Sequence, residues 1–286
     1  GKRAGRAPDG DAHRMTDRYA VFGNPIVLTK SPELHAAFAA QFGEDMSYEA
    51  WEVNAGAFEE AVLAFIEHGG KGLNVTVPFK VEAEAMADES RESAAICGAA
   101  NCLKFEDGRI IAENFDGIGL VRDIHRNLGV DPKGKRVLIA GAGGAARGAL
   151  EPLIEAGVAE IVIANRSVDR AQEVAELLGP RGSITACGYE ALEPGFDILL
   201  NSTSASLAGA APPIPGVAFV GAELAYDLAY GKGLTPFLAQ ARQYRVRQIA
   251  DGVGMLVEQA AEAFHWWRGK WPDTAPVIAG LSVPLD

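Results

Sequence analysis

An apolar run, Val137-Leu138-Ile139-Ala140, passes without a break into Gly141-Ala142-Gly143-Gly144-Ala145-Ala146. Nothing else in the chain restricts its fold as tightly. A strand with no polar position is expected where both faces of a parallel sheet are covered by helices. The glycines then mark a sharp turn into a helix. In the pattern G-x-G-x-x-G/A, Gly141 permits the turn, Gly143 lets backbone approach a pyrophosphate, and Ala146 is small enough for the helix to lie close on the strand. The backbone from Gly141 through Ala142, Gly143, Gly144 and Ala145 presents N–H groups and the positive end of a helix dipole to phosphates. The expectation is an α/β chain that binds a dinucleotide.

The end of the following strand discriminates between dinucleotides. NAD-binding sites place a carboxylate about 20 residues after the glycines, where it meets the ribose hydroxyls. Here the segment reads Ala164-Asn165-Arg166-Ser167, with Arg170 one turn later. Two guanidiniums in place of a carboxylate suit a 2′-phosphate, whose paired oxygens match their forked donors. The chain carries 38 acidic against 26 basic residues, a net charge of −12, so a local pair of arginines is informative. NADP is the expected cofactor, with Asn165, Arg166, Ser167 and Arg170 around its phosphate and Thr203 and Gly252 as further contacts.

The same acidic balance argues against a nucleic-acid partner, since no basic patch appears beyond the first fourteen residues. The longest uncharged stretch, 198–222, contains Asn201 and Pro212, Pro213 and Pro215, so no membrane helix is expected. Cys97, Cys102 and Cys187 are too few for a disulfide framework and lack zinc-ligand spacing, which fits a reducing cytoplasm. No metal is expected. Residues 1–14 have no apolar core of a signal peptide and are expected to be a disordered extension.

Strands alternate with helices along the rest. A short strand over 19–23 precedes a helix in which Ser31 reads as N-cap and Pro32 as the first helical residue, with Leu34, Phe38 and Phe42 on one face. A strand over 48–53 and a helix aligning Phe58, Val62 and Phe65 follow. Leu73, Val75 and Val77 alternate as a third strand ending at Pro78. Glu106-Asp107-Gly108 signals a hairpin between 100–105 and 109–114. After a helix from Asp116 to about Leu128, apolar strands are expected at 137–140, 161–164, 197–200 and 223–227. A helix over 255–267 closes the chain, with Leu256, Ala260, Ala263 and Trp267 on one side. Two domains are expected, the second starting near Asp116.

Gly23-Asn24-Pro25-Ile26 through Ser31-Pro32, Asn74-Val75-Thr76-Val77-Pro78-Phe79-Lys80, Gly98-Ala99-Ala100-Asn101, Asn114 with Asp116-Gly117, Asn165-Arg166-Ser167, Tyr226-Asp227, Tyr230, Thr235-Pro236-Phe237 and Ala250-Asp251-Gly252 leading to Gln259 succeed one another along the chain. In these motifs and their order the chain, from Tyr19 to about Trp271, resembles the shikimate dehydrogenase family. The resemblance implies NADP-linked interconversion of shikimate and 3-dehydroshikimate. It implies a discontinuous substrate domain, 15–115 completed by 255–286, and a Rossmann NADP domain over 116–254, with the active site in the cleft between them. Lys80 and Asp116 match the family's catalytic pair. Thr29, Ser31, Asn74, Thr76, Asn101, Tyr230 and Gln259 match its substrate-binding positions. On this reading the partner is a small ring acid, and the protein is a monomer or homodimer.

The chemistry is consistent on its own terms. Hydride addition to a ketone leaves an alkoxide that must be protonated as it forms. A lysine beside the carbonyl can give that proton and stabilise the developing charge, and an aspartate can hold it there. Thr29 and Ser31 sit where hydroxyl and N–H donors can meet a carboxylate, and Asn74 and Thr76 share one face of a strand.

Two departures bear on the substrate. Leu28-Thr29 stands where family members commonly carry His-Ser, and Phe115 precedes the aspartate where they usually carry Thr. Phe115 removes a hydroxyl and adds bulk beside the catalytic aspartate, and the sequence leaves open whether the ring faces the pocket. Loss of a hydrogen bond to a substrate hydroxyl changes discrimination by orders of magnitude. Quinate or another hydroxylated ring acid is therefore the alternative substrate class. A non-catalytic NADP(H)-binding protein is a third reading, which the joint presence of Lys80 and Asp116 disfavours.

Overall fold

The computed structural model describes residues 16–286; the extension expected over 1–14 lies outside the described residues. The chain builds two six-stranded sheets. The first contains β1 (Asp17–Gly23), β2 (Met46–Glu52), β3 (Gly70–Val75), β4 (Glu89–Ser90), β5 (Cys102–Glu106) and β6 (Arg109–Glu113), in the order β2-β1-β3-β5-β6-β4. β1, β2 and β3 are parallel and β5 turns the sheet antiparallel. Its helices are α1 (Ser31–Phe42), α2 (Phe58–Glu67), α3 (Lys80–Met86) and α4 (Glu92–Cys97). Phe58, Val62 and Phe65 of α2 are buried, as their spacing predicts, in one cluster with Phe22, Leu73 and Val75.

The chain then runs through α5 (Asp116–Arg122), continued by a π turn over Asp123–Asn127, into the second sheet. That sheet comprises β7 (Arg136–Ala140), β8 (Glu160–Ala164), β9 (Ile184–Cys187), β10 (Ile198–Asn201), β11 (Leu224–Asp227) and β12 (Gln248–Asp251), separated by α6 (Gly144–Glu155), α7 (Val168–Glu176) and α8 (Pro236–Gln243). All pairings are parallel, in the order β12-β11-β10-β7-β8-β9. Numbered within the sheet this is the doubly wound order 3-2-1-4-5-6, read from the β9 edge, whose ligand crevice opens beyond the C-terminal ends of the central strands. β7 and β10 are those strands. Val137, Leu138, Ile139 and Ala140 are wholly buried, as an unbroken apolar strand requires. The chain closes with α9 (Val253–Arg268) and α10 (Ala275–Leu281).

Four readings of the sequence are corrected. Lys30, not Ser31, is the N-cap of α1; Ser31 is its first helical residue and caps nothing. β3 ends at Val75, not at Pro78, and Val77 is exposed. There Phe79 N donates to Thr76 O in a turn, and Pro78 has no N–H with which to extend a ladder. α9 has no single apolar side: from Val257 to Phe264 every residue is buried, Glu258, Gln259 and Glu262 included. It lies between α1 and α5, so all its faces are covered. β4, β9 and β12 were not expected as strands, being short or mixed in polarity.

Packing of α5 on α9 sets the position of the site. A Cβ on Gly119 of α5 would lie 2.8 Å from the main-chain nitrogen of Gln259. Only glycine allows so close an approach, which brings Gln259 beside Asn101. Among the described residues no helix is long and apolar enough to cross a membrane.

Candidate active site

A cleft of about 540 Å³ opens where the first sheet's loops face the end of the second. Thr29, Ser31, Asn74, Thr76, Lys80, Asn101, Asp116, Tyr230 and Gln259 all line it, so the structure brings together every residue expected to bind substrate or act in catalysis. Gly252 also lines it, alongside Leu228 and Met255.

A chain of hydrogen bonds runs through the floor. Lys80 opens α3 and donates from Nζ to Asp116 Oδ2 at 2.7 Å. Asp116 opens α5, and its Oδ1 accepts from Asn101 Nδ2 at 2.9 Å. The same amide nitrogen donates to Gln259 Oε1 at 3.1 Å, while Asn101 Oδ1 accepts from Phe115 N at 2.9 Å. Both amide hydrogens of Asn101 are thus committed, so it acts as a hub that fixes Asp116 and Gln259. Gln259 Nε2 donates to Leu256 O at 2.9 Å and keeps one N–H for the cleft. Each oxygen of the Asp116 carboxylate accepts one side-chain hydrogen bond, and the Lys80 ammonium retains two N–H groups. Tyr230 stands across the cleft; burial pushes its phenol up and the charge of Lys80 draws it partway back.

The Ser31 hydroxyl has no capping role. Thr29 Oγ1 accepts from Ser31 N at 3.3 Å. Leu28 forms part of the cleft mouth and is 86% exposed. Phe115, whose direction the sequence leaves open, is not among the residues that line the cleft. Its ring is buried against Cys102 and Ala263 and meets Trp266 edge-on at 5.7 Å. Cys97 and Cys102 are buried thiols, and burial pushes Cys97 up to about 11. Tyr48 escaped the sequence reading, because a tyrosine within a strand looks like ordinary core.

The cofactor candidates gather at the ends of β7, β8 and β10. Gly141 has φ +104 and packs against Ser202 and Thr203, whose hydroxyl and main-chain nitrogen both donate to Asn201 Oδ1. Gly143 is the N-cap of α6, and Gly144 and Ala145 form its exposed first turn beside Ala142. A Cβ on Gly143 or Gly144 would meet no protein atom, and neither residue has positive φ. Protein packing therefore does not demand glycine there; close approach of a phosphate to the backbone does. Ser167 caps α7, accepting from Arg170 N, and Asn165 Nδ2 donates to Ser167 O. Arg166 and Arg170 are exposed and form no ion pair among the described residues. These features fit a dinucleotide with a 2′-phosphate.

Family models match three stretches of the chain: the shikimate dehydrogenase substrate binding domain over 21–103, shikimate / quinate 5-dehydrogenase over 123–209, and the shikimate 5′-dehydrogenase C-terminal domain over 252–279. The chain is 50% identical over 272 residues to a shikimate dehydrogenase (NADP(+)) of Nitrosospira multiformis, covering 95% of this chain and 99% of that one. Among solved structures, an Ael1 enzyme from Pseudomonas putida is 54% identical with a TM-score of 0.92, covering 94% of this chain and all of that one. The 5-ketofructose reductase of a Gluconobacter strain is 31% identical with a TM-score of 0.85, covering 94% and 98%.

Proposed function

Because the chain belongs to the shikimate dehydrogenase family, we propose that its cleft interconverts 3-dehydroshikimate and shikimate by NADP-linked hydride transfer, with Lys80 and Asp116 as the acid–base pair. The observation that carries the assignment of roles is the Lys80–Asp116–Asn101–Gln259 chain at the floor of the cleft. The protein is an oxidoreductase of aromatic biosynthesis and its cofactor is NADP.

NADPH, when bound, supplies the hydride. In that direction the substrate's carbonyl oxygen gains negative charge, and Lys80 Nζ, with two N–H groups unspent, donates a proton to it. A positioned general acid of this kind accelerates such a step by about 10²–10⁴-fold. Asp116 holds the ammonium, and Asn101 prevents the carboxylate from turning away. In the oxidation direction the hydroxyl proton of shikimate returns to the Lys80–Asp116 pair. Thr29 and Ser31 bind the carboxylate, Asn74, Thr76 and Gln259 the ring hydroxyls, and Tyr230 closes over the ring. Arg166 and Arg170 hold the 2′-phosphate, and the turn from Gly141 to Ala145 the pyrophosphate. Residues 15–115 with 255–286 form the substrate domain and 116–254 the cofactor domain. The enzyme works in the cytoplasm as a monomer or homodimer.

A second reading, the same chemistry on quinate or another hydroxylated ring acid, is favoured by Leu28 and Thr29 at the cleft mouth. Steady-state reduction of NADP⁺ with shikimate and with quinate at equal concentrations decides between them. Strong preference for shikimate is expected. Turnover with quinate but not shikimate would overturn the first reading in favour of the second.

A further inference from the structure

Asn74 lines the cleft from β3, yet it is only 6% exposed, and its amide lies between two polar neighbours. On one side Nδ2 faces the main-chain oxygen of Asn101 at 3.5 Å. A carbonyl oxygen accepts and never donates, so the amide atom facing it is the NH2 group. On the other side the hydroxyl of Tyr48, on β2, lies 2.6 Å from Oδ1. An amide oxygen only accepts, so Tyr48 is the donor. That bond ties β2 to a cleft residue of β3.

The Tyr48 ring is itself clamped. His35 of α1 stacks on it with centroids 4.3 Å apart and planes 6° from parallel, and Trp267 of α9 packs at 6.5 Å. His35 is fully buried, touches Phe38, Phe264 and Trp267, and neither of its ring nitrogens has a hydrogen-bond partner. Burial pushes its pKa down to about 3, so at neutral pH it is an uncharged plate. A buried histidine without partners costs stability, and its flat contact is what it offers in return.

We propose that Tyr48, held flat by His35, is a positioning residue for substrate: the hydrogen bond it gives Asn74 fixes that amide with an N–H turned into the cleft as a donor to a ring hydroxyl. Without it, Oδ1 is left buried and unpaired, and the amide is held only by the long 3.5 Å contact from Nδ2 to Asn101 O. This rests on the reading of Asn74 as a substrate-binding residue.

The test is Tyr48→Phe and Asn74→Ala, made singly and together in the full chain. The expected result for Tyr48→Phe is a KM for shikimate raised about three- to tenfold, the worth of one neutral hydrogen bond, with kcat and KM for NADP⁺ changed less than about twofold. Asn74→Ala raises KM further, and the double variant matches Asn74→Ala alone, because Tyr48 acts only through that amide. An unchanged KM in Tyr48→Phe, independent multiplication of the two effects, or parallel losses in kcat and NADP⁺ affinity would each overturn the proposal. If the parent protein does not oxidise shikimate, it is the functional reading that fails. The positioning claim is then read from the ¹⁵N-labelled side-chain amide of Asn74, identified by its loss in Asn74→Ala. Its two protons exchange slowly with solvent in the parent and faster in Tyr48→Phe; equal exchange in both overturns it.

Discussion

Lys80 Nζ and Asp116 Oδ2 stand 2.7 Å apart although 36 positions separate them in the chain, each being the first residue of its helix. Lys80 is carried to this point by the turn that ends β3, and Asp116 by the short link after β6. Replacing Lys80 by alanine leaves the cleft without its proton donor and Asp116 without its counter-charge. Turnover of Lys80→Ala should fall about 10²–10⁴-fold with affinity for NADP⁺ little changed. Steady-state kinetics with both substrates varied measures this, and undiminished turnover would remove Lys80 from the mechanism.

Arg166 follows β8 and has no ion-pair partner among the described residues. Its substitution therefore leaves no buried charge unpaired, and any effect on binding comes from contact with ligand. A guanidinium bonded to a phosphate contributes about 1.5–3 kcal/mol, or roughly 10- to 100-fold in affinity. Arg166→Ala should raise KM for NADP⁺ by that factor and leave KM for NAD⁺ within about twofold. Equal losses for both cofactors would show that the arginine does not meet the 2′-phosphate.

Residues whose local pattern coincided with their structural cause were legible in the sequence. The β7–α6 turn is local, so its glycines and the apolar strand before them indicated both fold and cofactor. The hairpin at Asp107-Gly108, both at positive φ, is local in the same way. Lys80, Asp116 and Gln259 became legible only through their order along the chain, because what joins them is tertiary: Lys80 reaches Asp116 from the start of α3, and Asn101 and the packing of α5 on α9 bring in Gln259. Glycine at position 119, which permits that packing, looks in sequence like a poor helix residue. Tyr48 was invisible for the same reason: its partners lie on other elements, and nothing local separates a tyrosine that orients an amide from one that fills a core.

Phe115 shows how a departure from a motif can mislead. Its main-chain N–H bonds to Asn101, so the backbone belongs to the site while the ring is turned into the cluster with Trp266. Phe115→Thr should therefore leave the ratio of kcat/KM for shikimate and quinate within about threefold. It should also destabilise the protein by about 3 kcal/mol, as loss of a buried aromatic ring does. Urea unfolding and the two specificity constants measure these separately. A large change in substrate preference with unchanged stability would put the ring in the pocket.

His35 links the packing behind the site to pH. Burial lowers its pKa from 6.5 to about 3 in the folded protein, while the unfolded chain titrates near the ordinary value of about 6.5. Between those values the unfolded chain binds a proton that the folded protein does not. The stability in question is therefore complete above the unfolded pKa and is lost as pH falls from about 6.5 toward 3, by ~1.4 kcal/mol per pH unit. Between pH 7.5 and pH 5 this amounts to ~2 kcal/mol. His35→Phe keeps a flat ring against Tyr48 but has nothing to titrate, so carboxylates aside it should be spared that loss. Urea unfolding of both proteins at the two pH values isolates the term, since the carboxylates are common to both. The difference in stability, parent minus variant, should fall by ~2 kcal/mol on going to pH 5. Parallel pH profiles would show that His35 titrates freely in the folded protein, and the plate behind Tyr48 would then carry charge under acid conditions.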